Sequence, residues 1–166
     1  MENLYTSASP IAGTGLFTKK EIREKEIILS FRGDHIFHDY TPDFALQGAN
    51  WIGVGDMEWV VPQPGSPVLY LNHSCSPNVF ITEKQELISA CFIPADSELF
   101  LDYSSTELDP YWSMKCNCQS GECRQVIKSF PYLPPTKQLQ YRSFISRIFW
   151  DESQRLSMNG KRRLYG

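Results

Sequence analysis

Apolar residues in the first hundred positions come in short runs separated by Gly, Pro, Asn and Asp, a pattern of many short strands and little helix. Ile11-Ala12-Gly13-Thr14-Gly15-Leu16-Phe17 sets two glycines one residue apart between apolar residues, which predicts a tight turn entering a strand. Residues 26–33 read as a buried strand ending in a turn. Residues 35–67 are less regular, with apolar stretches at 51–54 and 58–61 before Pro62, Pro64, Gly65 and Pro67 break the chain. Residues 68–71, 86–93 and 98–101 read as further strands, the last two separated by the turn Pro94-Ala95-Asp96. The C-terminal pattern differs. After Pro134-Pro135, Thr136 stands as a helix N-cap, and Tyr141, Phe144, Ile145, Ile148 and Phe149 recur at i, i+3, i+4, i+7 and i+8. That predicts one amphipathic helix, read as docking on the body of the domain rather than on a partner. From Asp151 onward the chain reads as a mobile tail.

Length and composition narrow the picture. A chain of 166 residues suits one domain with its own core, and 42% hydrophobic with 21% charged residues is ordinary for a globular protein. A net charge of −3 argues against direct nucleic-acid binding, and Lys161-Arg162-Arg163 is too short a basic run to reverse that. A mildly acidic surface suits a basic peptide or protein. The first residues show no signal-peptide pattern, and no apolar run reaches the roughly 18 residues of a membrane helix. The expectation is an intracellular protein of the cytoplasm or nucleus, in a reducing compartment where clustered cysteines are metal ligands more often than disulfides.

Five cysteines then become informative. Cys116, Cys118 and Cys123 lie in one loop whose Gln119-Ser120-Gly121 segment can turn, so the three thiolates can wrap a metal. They leave one tetrahedral position, for which Cys75 in Asn72-His73-Ser74-Cys75 is the natural candidate. The alternative is unrelated free thiols. Cys91, between Ala90 and Phe92, is read as a buried small hydrophobe. No Cys–His pair oriented by a carboxylate is evident for nucleophilic catalysis.

Taken in order and spacing, residues 11–33, 70–78, 98–103 and 116–124 resemble the SET-domain protein lysine methyltransferases, over about residues 8 to 125. The Cys-x-Cys-x4-Cys segment matches the family's post-SET zinc motif. The resemblance implies a mainly β fold of small curved sheets with a pseudoknot, in which Asn72-His73-Ser74-Cys75 and Asp102-Tyr103 are threaded together. It implies a SET domain at 8–110, a post-SET zinc segment at 111–130, and a C-terminal helix and tail at 131–166. It implies S-adenosylmethionine as methyl donor, one structural zinc ion, and a lysine-bearing protein or peptide, such as a histone, as substrate. By motif position, the backbone of Gly13, Thr14 and Gly15, together with Asn72, His73 and Tyr103, would contact the cofactor. Cys75, Cys116, Cys118 and Cys123 would hold zinc, and Tyr103 would carry the chemistry by orienting the amine. Three positions depart from the pattern: Phe31 stands for a Tyr of the lysine channel, Leu101 for a Phe or Tyr that influences how many methyl groups are added, and Leu69 for an Arg. These departures motivate one alternative, a catalytically silent module that binds protein; a third reading is a purely structural zinc protein.

Overall fold

The computed structural model describes residues 2–43 and 50–164, the last of them (157 and 159–164) in backbone only. In chain order the strands are β1 (Leu4–Ala8), β2 (Thr14–Thr18), β3 (Ile27–Ser30), β4 (Gly33–Phe37), β5 (Ile52–Gly55), β6 (Glu58–Pro62), β7 (Asn72–His73), β8 (Val79–Ile81), β9 (Glu86–Ser89), β10 (Phe100–Leu101), β11 (Ser113–Lys115) and β12 (Val126–Lys128). They make a β1-β2 hairpin, a β4-β6-β5 sheet, a β11-β12 ribbon and a mixed sheet in the order β3-β9-β8-β10-β7. Mainly β architecture is therefore what the short apolar runs specify.

Several elements differ from the sequence reading, each for a local reason. Residues 44–49 lie outside the described residues, but around them β4, β5 and β6 form a sheet with one register shift between Gly53 and Gly55; in its central strand β6, the neighbours Trp59 and Val60 are both buried, so the alternation that marks a half-buried strand is absent. Residues 68–71 are not a strand. Pro67 opens a 3-10 turn, Pro67–Tyr70, because its fixed φ suits a first helical position. The strand expected over 86–93 stops at Ser89, where the chain leaves β9 so that Ile93 can bridge Ile22. Cys91 is consequently exposed rather than buried.

The C-terminus holds two helices, α1 (Pro135–Tyr141) and α2 (Arg147–Leu164), rather than one. Pro134, not Thr136, takes the N-cap of α1. The Ser146 hydroxyl accepts from the Phe149 N–H at 3.0 Å, a capping contact that starts α2 separately. The apolar stripe is still used, since Tyr141, Phe144, Ile145 and Phe149 all pack into one core with Phe80, Leu108 and Phe130. Phe80 and Phe144 stack at 4.6 Å between ring centroids. Ile148 alone of the five faces solvent. The stretch from Asp151 is helical instead of a loose tail: Ser153 is fully buried, and Arg155 reaches back to Asp56 at 3.0 Å. The side chains of Lys161, Arg162 and Arg163 lie outside the described residues.

A second core of Leu16, Phe31, Val60, Val79, Leu87, Leu99 and Leu101 joins the sheets. The chain threads itself there. β10 lies between β7 and β8 and runs parallel to both, with Leu101 opposite His73 on one side and Val79 on the other. Because β7 and β8 are two arms of one loop, the later segment passes through the loop's mouth. Ser74 donates its N–H to the Leu101 carbonyl at 3.0 Å, and Asn78 to that of Phe100 at 3.1 Å. The Asn78 side chain completes the lock, donating to the Glu98 carbonyl at 2.8 Å and accepting from the Phe100 N–H at 2.7 Å. One amide thus serves as a piece of ladder where β8 has not yet begun.

Candidate functional site

Threading delivers Asp102 and Tyr103 to the middle of the molecule at the end of β10. Asp102 caps the 3-10 turn Tyr103–Thr106 by accepting the Ser104 N–H at 3.1 Å. The Tyr103 hydroxyl donates to the Leu71 carbonyl at 2.7 Å, which ties it to the residue just before β7. Burial raises its pKa to about 12, so the ring remains a phenol at ordinary pH. Tyr103 and Leu101 line a cavity of about 240 Å³ whose other walls include Trp51, Trp59, Glu107 and Trp112.

On the other arm of the threaded loop, Asn72 faces the Gly13–Gly15 turn. Its Nδ2 donates to the Ala12 carbonyl at 3.1 Å and to Glu98 Oε1 at 2.8 Å. Glu98 in turn accepts from the Ser9 hydroxyl at 3.0 Å, so one carboxylate pins both the hairpin and Asn72. The glycines have different reasons. A Cβ on Gly15 would lie 2.1 Å from Glu98 Oε1, so only glycine permits that approach. Gly13 has φ 49° and open space where a Cβ would stand, which leaves backbone groups accessible to a ligand. Every contact of Asn72 among the described residues uses Nδ2, so Oδ1 can accept from an amine.

The sulphur cluster lies behind Tyr103. Sγ of Cys75, Cys116 and Cys118 and a ring nitrogen of His73 all lie within 4.8 Å of one another, and Cys123 packs against the same group. Cys75 and Cys116 are 3.7 Å apart at sulphur. A tetrahedron with Zn–S bonds of about 2.3 Å has edges of about 3.8 Å, so the spacing fits zinc. Backbone and side-chain N–H groups aim at the sulphurs: Arg124 N and Nε reach Cys75 Sγ at 3.4 and 3.3 Å, and Cys75 N reaches Cys118 Sγ at 3.5 Å. Burial opposes ionisation of Cys118, but the Cys75 N–H and the side chain and backbone of Ser120 outweigh it and bring its thiol to about 6.

His73 has a different part from the thiols. The Tyr103 N–H donates to its Nδ1 at 3.2 Å, while Nε2 lies 3.3 Å from Cys75 Sγ. Burial, with the Arg124 charge adding to it, holds the pKa near 4 against the pull of Asp102. A neutral ring with Nδ1 accepting must carry its hydrogen on Nε2 and donate it to the sulphur. The 3.6 Å approach of Nδ1 to Asp102 is therefore not an ion pair. His73 therefore supports the sulphur cluster through its ring.

Asp102, fully buried, is the node that joins these parts. Arg124 Nη2 meets Oδ1 at 2.6 Å and the Tyr141 hydroxyl donates to Oδ2 at 3.0 Å. Lys137 of α1 donates to the Cys75 carbonyl at 3.2 Å and pairs with Glu122 of the cysteine loop. The cysteine loop and α1 are both fastened to the segment that carries Tyr103.

Residues 13–104 match the family model described as SET domain. The chain belongs to the SET-domain family. SET-domain membership agrees with the threaded loop, the mainly β frame and the two C-terminal helices. The chain is 26% identical over 141 residues to the Histone-lysine N-methyltransferase 2D proteins of Homo sapiens and Mus musculus, with 74% of this chain covered. It spans only 2% of the length of those relatives. Its fold also matches the crystal structure of KRYPTONITE in complex with mCHH DNA, H3(1-15) peptide and SAH, at a TM-score of 0.58 and 18% identity, over 76% of this chain and 29% of that one.

Within this SET domain the structure gathers Gly13, Thr14, Gly15, Asn72, His73 and Tyr103 around the threaded loop, and Cys75, Cys116, Cys118 and Cys123 behind it. Leu101 lines the cavity beside Tyr103, whereas Phe31 sits in the core with Leu101 and is not among the lining residues. Sequence reasoning passed over Glu98, Glu107, Arg124 and Tyr141. Arg124 had a signal, a cation directly after the last cysteine of the motif. Glu107 and Tyr141 had none, since their partners are 48 and 39 residues distant in sequence.

Proposed function

We propose that this SET domain is an S-adenosylmethionine-dependent protein-lysine N-methyltransferase. The observation that carries the reading is the Tyr103 hydroxyl, held by Leu71 at the meeting point of the cavity and the Asn72–Gly13 side of the threaded loop. When bound, S-adenosylmethionine supplies a methyl group on a sulfonium. Gly13, Thr14 and Gly15 would approach it through their backbone and Asn72 through Oδ1. Transfer to an amine is an in-line displacement, so the protein's task is alignment in a dry site. With its hydrogen spent on Leu71, the Tyr103 oxygen presents lone pairs to a neutral amine and to a polarised methyl. A phenol with pKa about 12 is no general base, so the amine must lose its proton to another acceptor or to water.

Cys75, Cys116, Cys118 and Cys123 would hold one zinc ion, closing the cysteine loop over the cofactor side. The substrate is a lysine-bearing protein or peptide, with a histone the first candidate. That choice draws on the names of the relatives, and a cytoplasmic or nuclear setting follows from it. The silent-module reading gains no support here, because Leu101 leaves the Tyr103 hydroxyl in place. The test is transfer of labelled methyl from S-adenosylmethionine to a panel of histones and lysate proteins. Label on a lysine that is lost when that lysine is replaced by arginine is the expected result. Cofactor binding with no labelled acceptor would overturn the reading.

A further inference from the structure

Trp59 is one wall of the cavity beside Tyr103, and what keeps it there extends beyond the SET domain. Its indole N–H donates to Glu107 at 3.2 Å, and its ring meets that of Tyr40 edge-on, at 5.8 Å between centroids and 89° between planes. Tyr40 is itself locked. Its hydroxyl donates to Asp56 Oδ1 at 3.0 Å and accepts the Met57 N–H at 3.2 Å. Burial raises the phenol well above its ordinary range, so the hydroxyl keeps the hydrogen it gives to Asp56. Asp56 and Met57 are the two residues that turn the chain from β5 into β6. Met57 stands at φ 52°, a left-handed conformation that a long side chain rarely adopts without support. Residues 38–40 supply that support, since His38 also donates its N–H to the Met57 carbonyl at 3.1 Å.

The second oxygen of Asp56 meets Arg155 Nη2 of α2 at 3.0 Å. Glu152, one turn earlier on α2, accepts from Arg155 Nε at 2.6 Å and so fixes the direction in which the guanidinium points. Arg155, Asp56, Tyr40 and Trp59 thus form one unbroken line of contacts from the C-terminal helix to the cavity wall. The neighbouring wall residue Trp51 is tied to the same line, at 5.8 Å between ring centroids from both Trp59 and His38. A different ion pair of α2, Arg147 with Asp151 at 3.5 Å, stays within the helix.

Resting on the reading of this cavity as the entry for the substrate amine, we propose that Tyr40 is a positioning residue for the acceptor and that Arg155, through Asp56, makes α2 part of its setting. Neither Tyr40 nor Arg155 is among the residues that line the cavity, so each acts on the acceptor through Trp59 and not by contact. The effect belongs to acceptor affinity. Tyr103, which carries the chemistry, is held separately by the Leu71 carbonyl, and Asn72 by Ala12 and Glu98.

The test is steady-state methyl transfer to the acceptor protein labelled most strongly in the assay above, with S-adenosylmethionine saturating, together with acrylamide quenching of tryptophan fluorescence in the full chain. Arg155 is half-exposed, and losing such an ion pair is worth up to about five-fold. Arg155→Met is therefore expected to raise the acceptor KM about three- to five-fold, with kcat and cofactor affinity within about two-fold. Tyr40→Phe keeps the ring and removes both hydrogen bonds of the hydroxyl, which should raise KM about five- to ten-fold. Because Arg155 acts through Tyr40, the double variant should exceed Tyr40→Phe by no more than about two-fold. Arg147→Met is the control and should leave KM within about two-fold of wild type. Quenching should rise in Tyr40→Phe and Arg155→Met but not in Arg147→Met. An unchanged KM in both variants overturns the proposal, as does full multiplication of their losses in the double variant. So does an equal loss in Arg147→Met, or a fall in kcat and cofactor affinity that keeps pace with KM, which marks a merely structural role. A wild type that labels no acceptor overturns the enzymatic reading and this proposal with it, whereas labelling with KM indifferent to both variants overturns this proposal alone.

Discussion

Replacing Arg124 by Met tests whether the cysteine loop is energetically joined to the segment that carries Tyr103. Among the described residues, Arg124 is the only cation within ion-pairing reach of the fully buried Asp102, apart from a His73 that is neutral. The Met side chain keeps the apolar stem but removes the Nη2 contact at 2.6 Å to Asp102 and the Nε contact at 3.3 Å to Cys75 Sγ. Among the described residues, Asp102 would then be a buried charge with only the Tyr141 hydroxyl and the Ser104 N–H to satisfy it. Losing one partner of such a pair costs about 3–5 kcal/mol, a large share of the 5–15 kcal/mol typical of a domain. The assay is urea unfolding at fixed free zinc, run on Arg124→Met, Asp102→Asn and the double variant. The double variant, which removes both charges, should be more stable than the sum of the single losses implies, by at least about 1.5 kcal/mol. Tyr141→Phe, which removes a single hydrogen bond to the same carboxylate, should cost about 1–3 kcal/mol. A loss below about 1 kcal/mol for Arg124→Met, or strict additivity in the double variant, would refute the reasoning.

Three further outcomes follow from the geometry. Burial, with the Asp109 charge adding to it, raises Glu107 from 4.5 to about 7, which at about 1.4 kcal/mol per pH unit is about 3 kcal/mol of stability present below pH 4.5 and lost as the pH rises through 7. Glu107→Gln does not titrate, so it should gain on the wild type between about pH 5 and pH 8 in thermal melts; a pH-independent difference would contradict this. Gly15→Ala drives a Cβ to within 2.1 Å of Glu98 Oε1, breaks the Glu98–Asn72 contact and should weaken S-adenosylmethionine about ten-fold by titration calorimetry; unchanged affinity would remove Asn72 from the cofactor site. Stripping metal with a chelator should release one zinc per chain by atomic absorption and lower melting temperature and cofactor affinity together. Affinity unchanged after zinc loss would show that the cysteine loop does not support the cofactor side.

How much of this was legible in the sequence differs by element. The short runs of apolar residues specify β structure, and Asn72-His73-Ser74-Cys75 with Cys116, Cys118 and Cys123 mark residues that the fold does bring together. The C-terminal stripe marks the right faces, because Tyr141, Phe144, Ile145 and Phe149 are packed against one core. It does not reveal the break between α1 and α2, which depends on the Ser146 cap. Cys91 reads as buried from its apolar neighbours, yet the Ile22–Ile93 bridge pulls the chain out of β9 and leaves it exposed. Asp102 illustrates what a linear pattern cannot carry. Its partners Arg124 and Tyr141 meet it only because the chain threads its own loop and α1 folds back over it.

The measurement that bears most directly on the account pairs two readouts on Tyr103→Phe, titration calorimetry with S-adenosylmethionine and single-turnover methyl transfer to the best protein acceptor. Removing one oxygen leaves the ring in its packing and the Gly13–Asn72 side untouched. Cofactor affinity should stay within about three-fold of wild type, while the transfer rate falls by roughly a hundred-fold, the scale of losing one positioned polar group at a reacting centre. Transfer at the wild-type rate would contradict the part given to Tyr103 and, with it, the account of how this site works.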